Sequence, residues 1–403
     1  MKTLSLSWRY LWARPLTTGL NLVLLTLGLA AITLVLLTRA QLDRAFERDL
    51  AGIDAVVGAK GSPLQLILSG VFHLDVPPGN IPLREAQALA KDARVAQLIP
   101  LSLGDSYRGF RIVGTTHDYP AHYGAQLAQG RLWQQPMEVV LGHQAAQATG
   151  LQPGQFFAGA HGLADSGDAG THAAHPYAVS GVLAPCGCVL DRLLLTATES
   201  VWEVHEVAHG QDADHDKAHE DEPREITLAL VRYRSPLAAA TFPRHVNSTT
   251  NLQAAAPALE ITRLLRMVGV GADVLRGFAA VLLLTAGLSV FIALWSAVRE
   301  RRDDLALLRM LGAPPSRLAA LLLCEALWLA GLATLLGLLG GHLLTGLLGY
   351  LLAGEHSLPV SGWLWLTGEL WVPTLALAVA ALSALLPALG AYRVEAGQLL
   401  NSR

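Results

Sequence analysis

Four long apolar runs, at residues 16–38, 274–298, 318–353 and 370–392, constrain this chain of 403 residues more than any motif does. Each reaches the roughly 20 residues needed to cross the hydrocarbon core of a bilayer. Their order is one run, about 235 residues of mixed sequence, then three runs. The composition agrees, with 52% hydrophobic and only 15% charged residues, where a soluble domain carries about a quarter charged. The expected fold is an α-helical membrane protein with four transmembrane helices and a large α+β extracytoplasmic domain inserted between helices 1 and 2. The first run follows Lys2, Arg9 and Arg14 and is continued by Thr38-Arg39-Ala40-Gln41, so it reads as an uncleaved anchor. The third exceeds one crossing, long enough for a span plus a broken or re-entrant end, and its glycines at 331, 337, 340, 341, 346 and 349 permit either close helix packing or a break.

Orientation follows from lysine and arginine in short loops. The first 15 residues carry three, and the connection at 299–317 carries Arg299, Arg301, Arg302, Arg309 and Arg317. The loop at 354–369 has none and holds two glutamates. Both termini (1–15 and 393–403) and the 299–317 connection are therefore expected in the cytoplasm, with 39–273 outside.

The insert mixes signals. Leu42, Phe46 and Leu50 predict a helical stalk continuing the first span. Between 52 and 82, short β-rich runs alternate with Gly and Pro, and 82–93 resembles a short helix. Residues 95–101, 110–116, 137–142, 177–184 and 225–234 read as strands, 143–149 as a helix, and 246–265 as a helical return to the second span. His73 and Asp75 fit a surface turn, and so does the glycine-flanked Lys60, which lacks Walker spacing. Neither GxSxG nor HExxH occurs, and His117, Tyr119 and His122 form no nucleophile–base set. No catalytic residue and no nucleic-acid partner is expected.

Seven of the 14 histidines fall at 159–222: His161, His172, His175, His205, His209, His215 and His219. Asp212 and Asp216 lie among them in a hydrophilic stretch. Imidazole and carboxylate suit zinc or another divalent transition metal, and weak metal binding competes with a plain solvated loop because no closed four-ligand spacing exists. Cys186 and Cys188 stand together in CGC; they can join such a site, bridge each other, or lie buried in a turn. Three cysteines are too few for a disulfide framework.

The 299–317 connection has internal order. Glu300, Arg301, Arg302, Asp303, Asp304, Leu308, Arg309 and Leu311 lie in a short amphipathic pattern, with Leu305, Leu308 and Leu311 assigned to one side. Gly312 supplies a C-cap, Pro314-Pro315 a stop, and Ser316 a start for the next helix. The runs contain few ionisable groups: Arg276, Glu325 and His342. Glu325 suits a dimer face or a cap at the cytoplasmic entry, and His342 a helix contact. Such scarcity favours an externally powered machine over an ion-coupled transporter.

Glu300 to Asp304 followed by Leu308-Arg309-Met310-Leu311-Gly312-Ala313, together with Pro387-Ala388-Leu389-Gly390-Ala391-Tyr392-Arg393 near the end, resembles the cytoplasmic segment and C-terminus of FtsX/MacB-like (LolC/LolE-like) ABC transporter permeases. Glu395-Ala396 departs from that ending, where a proline is usual. The resemblance implies a permease subunit, likewise in one-plus-three span order, that works as a homodimer with two copies of an ABC ATPase. Fifteen residues precede the first run and no GxxxxGK[ST] occurs, so ATP and Mg are expected on a separate chain, with no cofactor bound here. It further implies mechanotransmission: a coupling helix at 299–317 passes ATPase motion to the outer domain, with a periplasmic or outer-membrane partner. The substrate is open among lipoprotein, efflux substrate and metal. The alternatives are a non-transporting regulator of an extracytoplasmic enzyme such as a cell-wall hydrolase, and a metal-sensing membrane receptor.

Overall fold

The computed structural model describes residues 3–161, 176–210, 224–352 and 360–392. It opens with helices α1 (Thr3–Trp12) and α2 (Pro15–Asp49). Next come β1 (Ala55–Ala59), α3 (Pro63–Gly70), β2 (Ile81–Pro82), α4 (Leu83–Ala90), β3 (Val95–Tyr107) and β4 (Phe110–Thr115). Then follow α5 (Asp118–His122), β5 (Leu127–Gly130), β6 (Glu138–Leu141), α6 (His143–Thr149), β7 (Phe156–Phe157), β8 (Ala160–His161) and β9 (Tyr177–Leu183). The domain ends with β10 (Leu193–Ala197), α7 (Thr198–Gly210), β11 (Glu225–Ile226), β12 (Leu228–Tyr233), α8 (Ala238–Thr249) and β13 (Leu252–Ala255). The long helices α9 (Pro257–Glu300), α11 (Pro315–Leu352) and α12 (Trp371–Tyr392) complete it, with the short α10 (Arg302–Met310) between the first two. Two compact units result, one of residues 1–42, 267–354 and 358–403, the other of residues 43–266 and 355–357.

The domain unit is built on a mixed sheet of eleven strands among the described residues. Its order is β13-β1-β12-β3-β4-β10-β6-β9-β5, with β7 on β9 and β8 on β3. Alternating side chains explain why it is covered on both faces. Val56, Leu228, Leu230, Ile99, Leu101, Val113, Leu193, Leu195 and Val140 point into one core that runs the width of the sheet. Their neighbours divide into two smaller cores on the other face. Ala55, Val57, Ala229 and Val231 meet Phe242 and Val246 of α8, while Ile112, Leu194, Val139 and Leu141 meet Tyr177 and Val204.

Two segments of this unit depart from the sequence reading. Residues 63–70 are helix, because Ser62 accepts from Gln65 N (3.4 Å) and Pro63 sits in the first turn, and that start signal outweighs the β-rich composition. Residues 246–265 contain the expected helical return, but only from Pro257: β13 precedes it, pairing antiparallel with β1 with Ala255 opposite Val56 and Ala254 opposite Val57. A backbone donor row on β1 decides this, and no side-chain periodicity announces it. His73 is a third departure. It is buried, not at a surface turn, and its Nε2 lies 3.0 Å from Tyr119 OH.

Among the described residues four helices are long and apolar enough to cross a bilayer: Pro15–Asp49, Gly269–Glu300, Pro315–Leu351 and Thr367–Tyr392. The core of the membrane unit joins Leu25 and Leu29 of α2, Ala286 and Val290 of α9, Ala330 and Ala333 of α11 and Ala376, Ala380 and Ala384 of α12. Small side chains at four-residue spacing let helix backbones approach closely. Gly341 does the same without any side chain. A Cβ there would stand 2.4 Å from Thr33 Cβ and 3.1 Å from Ala30 O. So α11 is one unbroken helix of 38 residues: of the two roles open to its glycines, Gly337, Gly341 and Gly349 take close packing rather than a break. Beyond it, the non-helical residues 360–366 lie against α11, where His342 Nδ1 donates to Gly362 O (2.7 Å) and its Nε2 lies 2.9 Å from Glu369 Oε2. Gln41 at the other side donates to Ser361 O (3.0 Å) and accepts from Ser361 N (2.7 Å).

Candidate functional site

The arginine-rich connection begins where α9 stops. Arg301 leaves helical geometry, with φ −97° and ψ 17°, and α10 starts at the next residue. Its guanidinium is largely enclosed. Nη1 donates to Glu325 Oε1 of α11 (3.0 Å), Nη2 donates to Tyr10 O of α1 (3.1 Å), and the group lies over the Tyr10 ring, 4.3 Å from its centre. Glu325 is 4% exposed. Neither a dimer face nor an entry cap describes it: it is the internal counterion of Arg301. Next to it, Glu300 pairs with Arg14. A cavity of about 50 Å³ sits beside these groups, lined by Tyr10, Thr18, Asn21, Val290, Arg301 and Glu325.

Helix α10 has two apolar sides. Leu305 and Ala306 are buried against the unit, and Leu308 and Arg309 are half-buried. Leu307, Met310 and Leu311 are exposed by 53%, 54% and 76%. This corrects the expectation that Leu311 shares a face with Leu305: the helix ends at Met310, and Leu311 leaves with the turn. Gly312 (φ 90°) closes the end in the left-handed conformation, and Ala313 N donates to Leu308 O (3.0 Å). Asp304 is exposed; the side chains of Arg302 and Asp303 lie outside the described residues. The next helix begins at Pro315, one residue before the expected Ser316 start.

In the domain unit, the CGC segment closes on itself. Cys186 and Cys188 form a disulfide, and Cys324 is free. Asp191, 3% exposed, accepts from the N–H groups of Cys186 (3.0 Å) and Gly187 (2.7 Å). Asp49, the last residue of α2, accepts from Val189 N (2.8 Å), and Arg192 approaches it at 3.8 Å. Arg48 Nη1 donates to Gly187 O. Burial pulls the His73 imidazole well below its ordinary value, with Arg111 and Arg192 adding to the effect. Burial likewise lowers the Arg111 guanidinium to about 10, and that group donates to Ser69 O and Asp75 O. His73 is thus buried near Arg111, a setting its sequence spacing does not reveal, while Asp75 is half-buried, accepts from Val76 N (2.7 Å) and lends Arg111 only its backbone carbonyl.

The histidine-rich stretch is only partly within the described residues. His161 is placed on β8, opposite Asp105 of β3, and His205 and His209 lie on α7. Side chains of those three, and all of His172, His175, His215, His219, Asp212 and Asp216, lie outside them. Among the described residues no three His, Cys, Asp or Glu side chains converge to hold a metal. Lys60 follows the end of β1, and His117 and His122 bond to Trp133 O and Ala51 O.

These features define a class: a multi-span membrane protein that presents one large α+β domain and a short helix between two spans. Residues 18–257 match the MacB-like periplasmic core domain, and residues 276–396 match the FtsX-like permease C-terminal domain. The chain belongs to the FtsX/MacB-like ABC transporter permease family. Among solved structures it is similar to the periplasmic region of MacB from Actinobacillus actinomycetemcomitans, at 14% identity and TM-score 0.35, covering 54% of this chain and 95% of that one. It is similar too to the extracellular domain of the noncanonic ABC-type transporter YknZ from Gram-positive bacteria, at 12% identity and TM-score 0.30, covering 50% and 98%. No curated protein sequence matches it.

Proposed function

We propose that this chain is the membrane subunit of an ATP-driven complex, and that α10 is the seat of a separate ABC ATPase. The observation that carries the reading is the exposed patch of Leu307, Met310 and Leu311 on a nine-residue helix. That helix is bolted at its start by Arg301 to both α1 and α11. An apolar knob on a short, rigidly rooted helix suits a hydrophobic groove on a partner, and its rooting lets displacement pass to the spans. The complex contains two copies of this chain and two of the ATPase, with ATP and Mg bound by the latter; this chain has no catalytic role. Both termini and α10 face the cytoplasm of a bacterial inner membrane, following the arginine bias, and the domain stands in the periplasm. Motion at α10 travels along α2 and α9 to the domain, by mechanotransmission, to act on a lipoprotein, an efflux substrate or a periplasmic or outer-membrane partner.

The test is purification of the intact chain in mild detergent with identification of its companions, beside Met310→Asp and Leu311→Asp. The wild type should retain an ABC ATPase and the variants should lose it while still inserting in the membrane. An ATPase absent from the wild type, or retained undiminished by both variants, would refute the reading. ATPase activity stimulated by a transported substrate would separate transport from control of a cell-wall hydrolase.

A further inference from the structure

The disulfide is the one covalent cross-link among the described residues, and it lies against the end of the helix that begins at Pro15. Bridging residues two apart closes a very short ring, and the entropy so removed from the unfolded chain is small. Its consequence is local. The bridge holds the 186–188 turn in the shape that lets both its first N–H groups reach Asp191, offers Gly187 O to Arg48, and delivers Val189 N to Asp49. Four bonds therefore join the turn to itself or to α2, each through a carboxylate or a guanidinium. Phe46 and Leu50 pack against the same core as Cys188.

The two sulfurs differ in access. Cys188 is 7% exposed, Cys186 is half-buried, and the flanking Pro185 and Gly187 are exposed. A thiolate can reach Cys186 and not Cys188. We propose that Cys186–Cys188 is a thiol–disulfide exchange site for a protein dithiol of the extracytoplasmic compartment, and that its redox state sets how firmly the 185–192 segment grips the end of α2. The inference rests on the extracytoplasmic placement given above, since disulfides persist there.

The step balances. A partner thiolate attacks Cys186 Sγ, a mixed disulfide forms, and Cys188 leaves as a thiolate that takes a proton. The partner's second thiolate then attacks its own sulfur in the mixed disulfide and releases Cys186 as the other thiol. The chain gains two electrons and two protons, and the partner dithiol becomes a disulfide. With the ring open, the turn relaxes, and the hydrogen bonds from Arg48 and to Asp49 loosen together.

The experiment uses the full chain in detergent. The isolated protein should carry the 186–188 bridge by mass, and a reduced thioredoxin-type protein should open it, adding two alkylatable thiols to that of Cys324. A form of that probe lacking its resolving cysteine should be trapped on Cys186. Opening should speed amide hydrogen exchange at 187–192 and 46–50 by about tenfold, with little change elsewhere. Cys188→Ser should reproduce the faster exchange, and chemical reduction of the wild type decides the matter if that variant does not fold. A bridge that opens only on unfolding, or opening that leaves exchange at both segments unchanged, would overturn the proposal. Protease digestion of spheroplasts reads orientation separately. Protection of the domain would sink the placement itself, whereas a cleaved domain with an inert bridge would sink only the exchange site.

Discussion

The two units bury charge in different ways. In the domain, Asp49, Arg111 and Asp191 are enclosed and answered mostly by backbone: Val189 N, Ser69 O, Asp75 O, and the N–H groups of Cys186 and Gly187, with Arg192 set 3.8 Å from Asp49. In the membrane unit the enclosed Arg301 is answered by a charged side chain from a distant helix, Glu325, with one backbone carbonyl, Tyr10 O near the end of α1, beside it. A sheet domain has turns and strand ends whose amides and carbonyls need partners anyway. A helix satisfies its own backbone internally and has few groups to lend. Charge in the domain therefore shapes loops, while in the membrane unit it ties helices together.

The sharpest test of this contrast is Arg301→Met. It leaves Glu325 buried without its partner, and should destabilise the membrane unit by about 3–5 kcal/mol. Detergent-stability assays of the purified chain would show it as early aggregation, and Arg301→Met/Glu325→Leu should recover much of the loss. If the single variant is as stable as wild type, the helix tie is ornamental. Next is Gly341→Val, which pushes a side chain into Thr33 and the Ala30 carbonyl and should cost about 1–3 kcal/mol. The same assay checks it, with Gly331→Val, which has open space, as the silent control.

The domain yields a pH test. His73 is held neutral by burial, with Arg111 and Arg192 reinforcing it, so its folded pKa lies below its unfolded value of about 6.5. The unfolded chain binds the extra proton, and stability present above about pH 6.5 is lost as pH falls, by up to about 1.4 kcal/mol per pH unit. His73→Asn tolerates the left-handed backbone (φ 54°) and cannot titrate. Melts of both proteins between pH 7.5 and 5 should show the wild type falling more steeply; parallel curves would discard the assignment. The smallest effect belongs to Arg131→Gln. That exposed partner of Glu138 (2.5 Å) should leave the melting temperature unchanged within error, because solvent screens such pairs.

Much of the strand pattern was legible because alternation and turn residues are local. Residues 95–101, 110–116 and 177–184 needed no more than that, and β3, β4 and β9 cover them. The 299–317 connection was legible as a short helix with a glycine stop for the same reason. Its two-sidedness was not: the three-residue steps from Leu305 to Leu308 to Leu311 look like one stripe, but six positions are about 120° round a helix, and the helix ends at Met310. Glu325 and Tyr10 could not be joined to Arg301, since 24 and 291 positions separate them and nothing local couples them. His73 was misread because a histidine beside an aspartate looks the same in a surface turn as in a buried one.

Sequence alone determined the apolar lengths and the arginine bias, because bilayer thickness and charge desolvation act on every residue independently of its partners; the family was legible only through the motifs at 300–313 and 387–393. Tertiary structure alone decided that the glycines of α11 pack rather than break it, that Arg301 is an internal bolt, and that the CGC turn closes onto the end of α2. Those outcomes depend on which groups meet across hundreds of residues, and a contact between distant positions leaves no periodic trace in either of them.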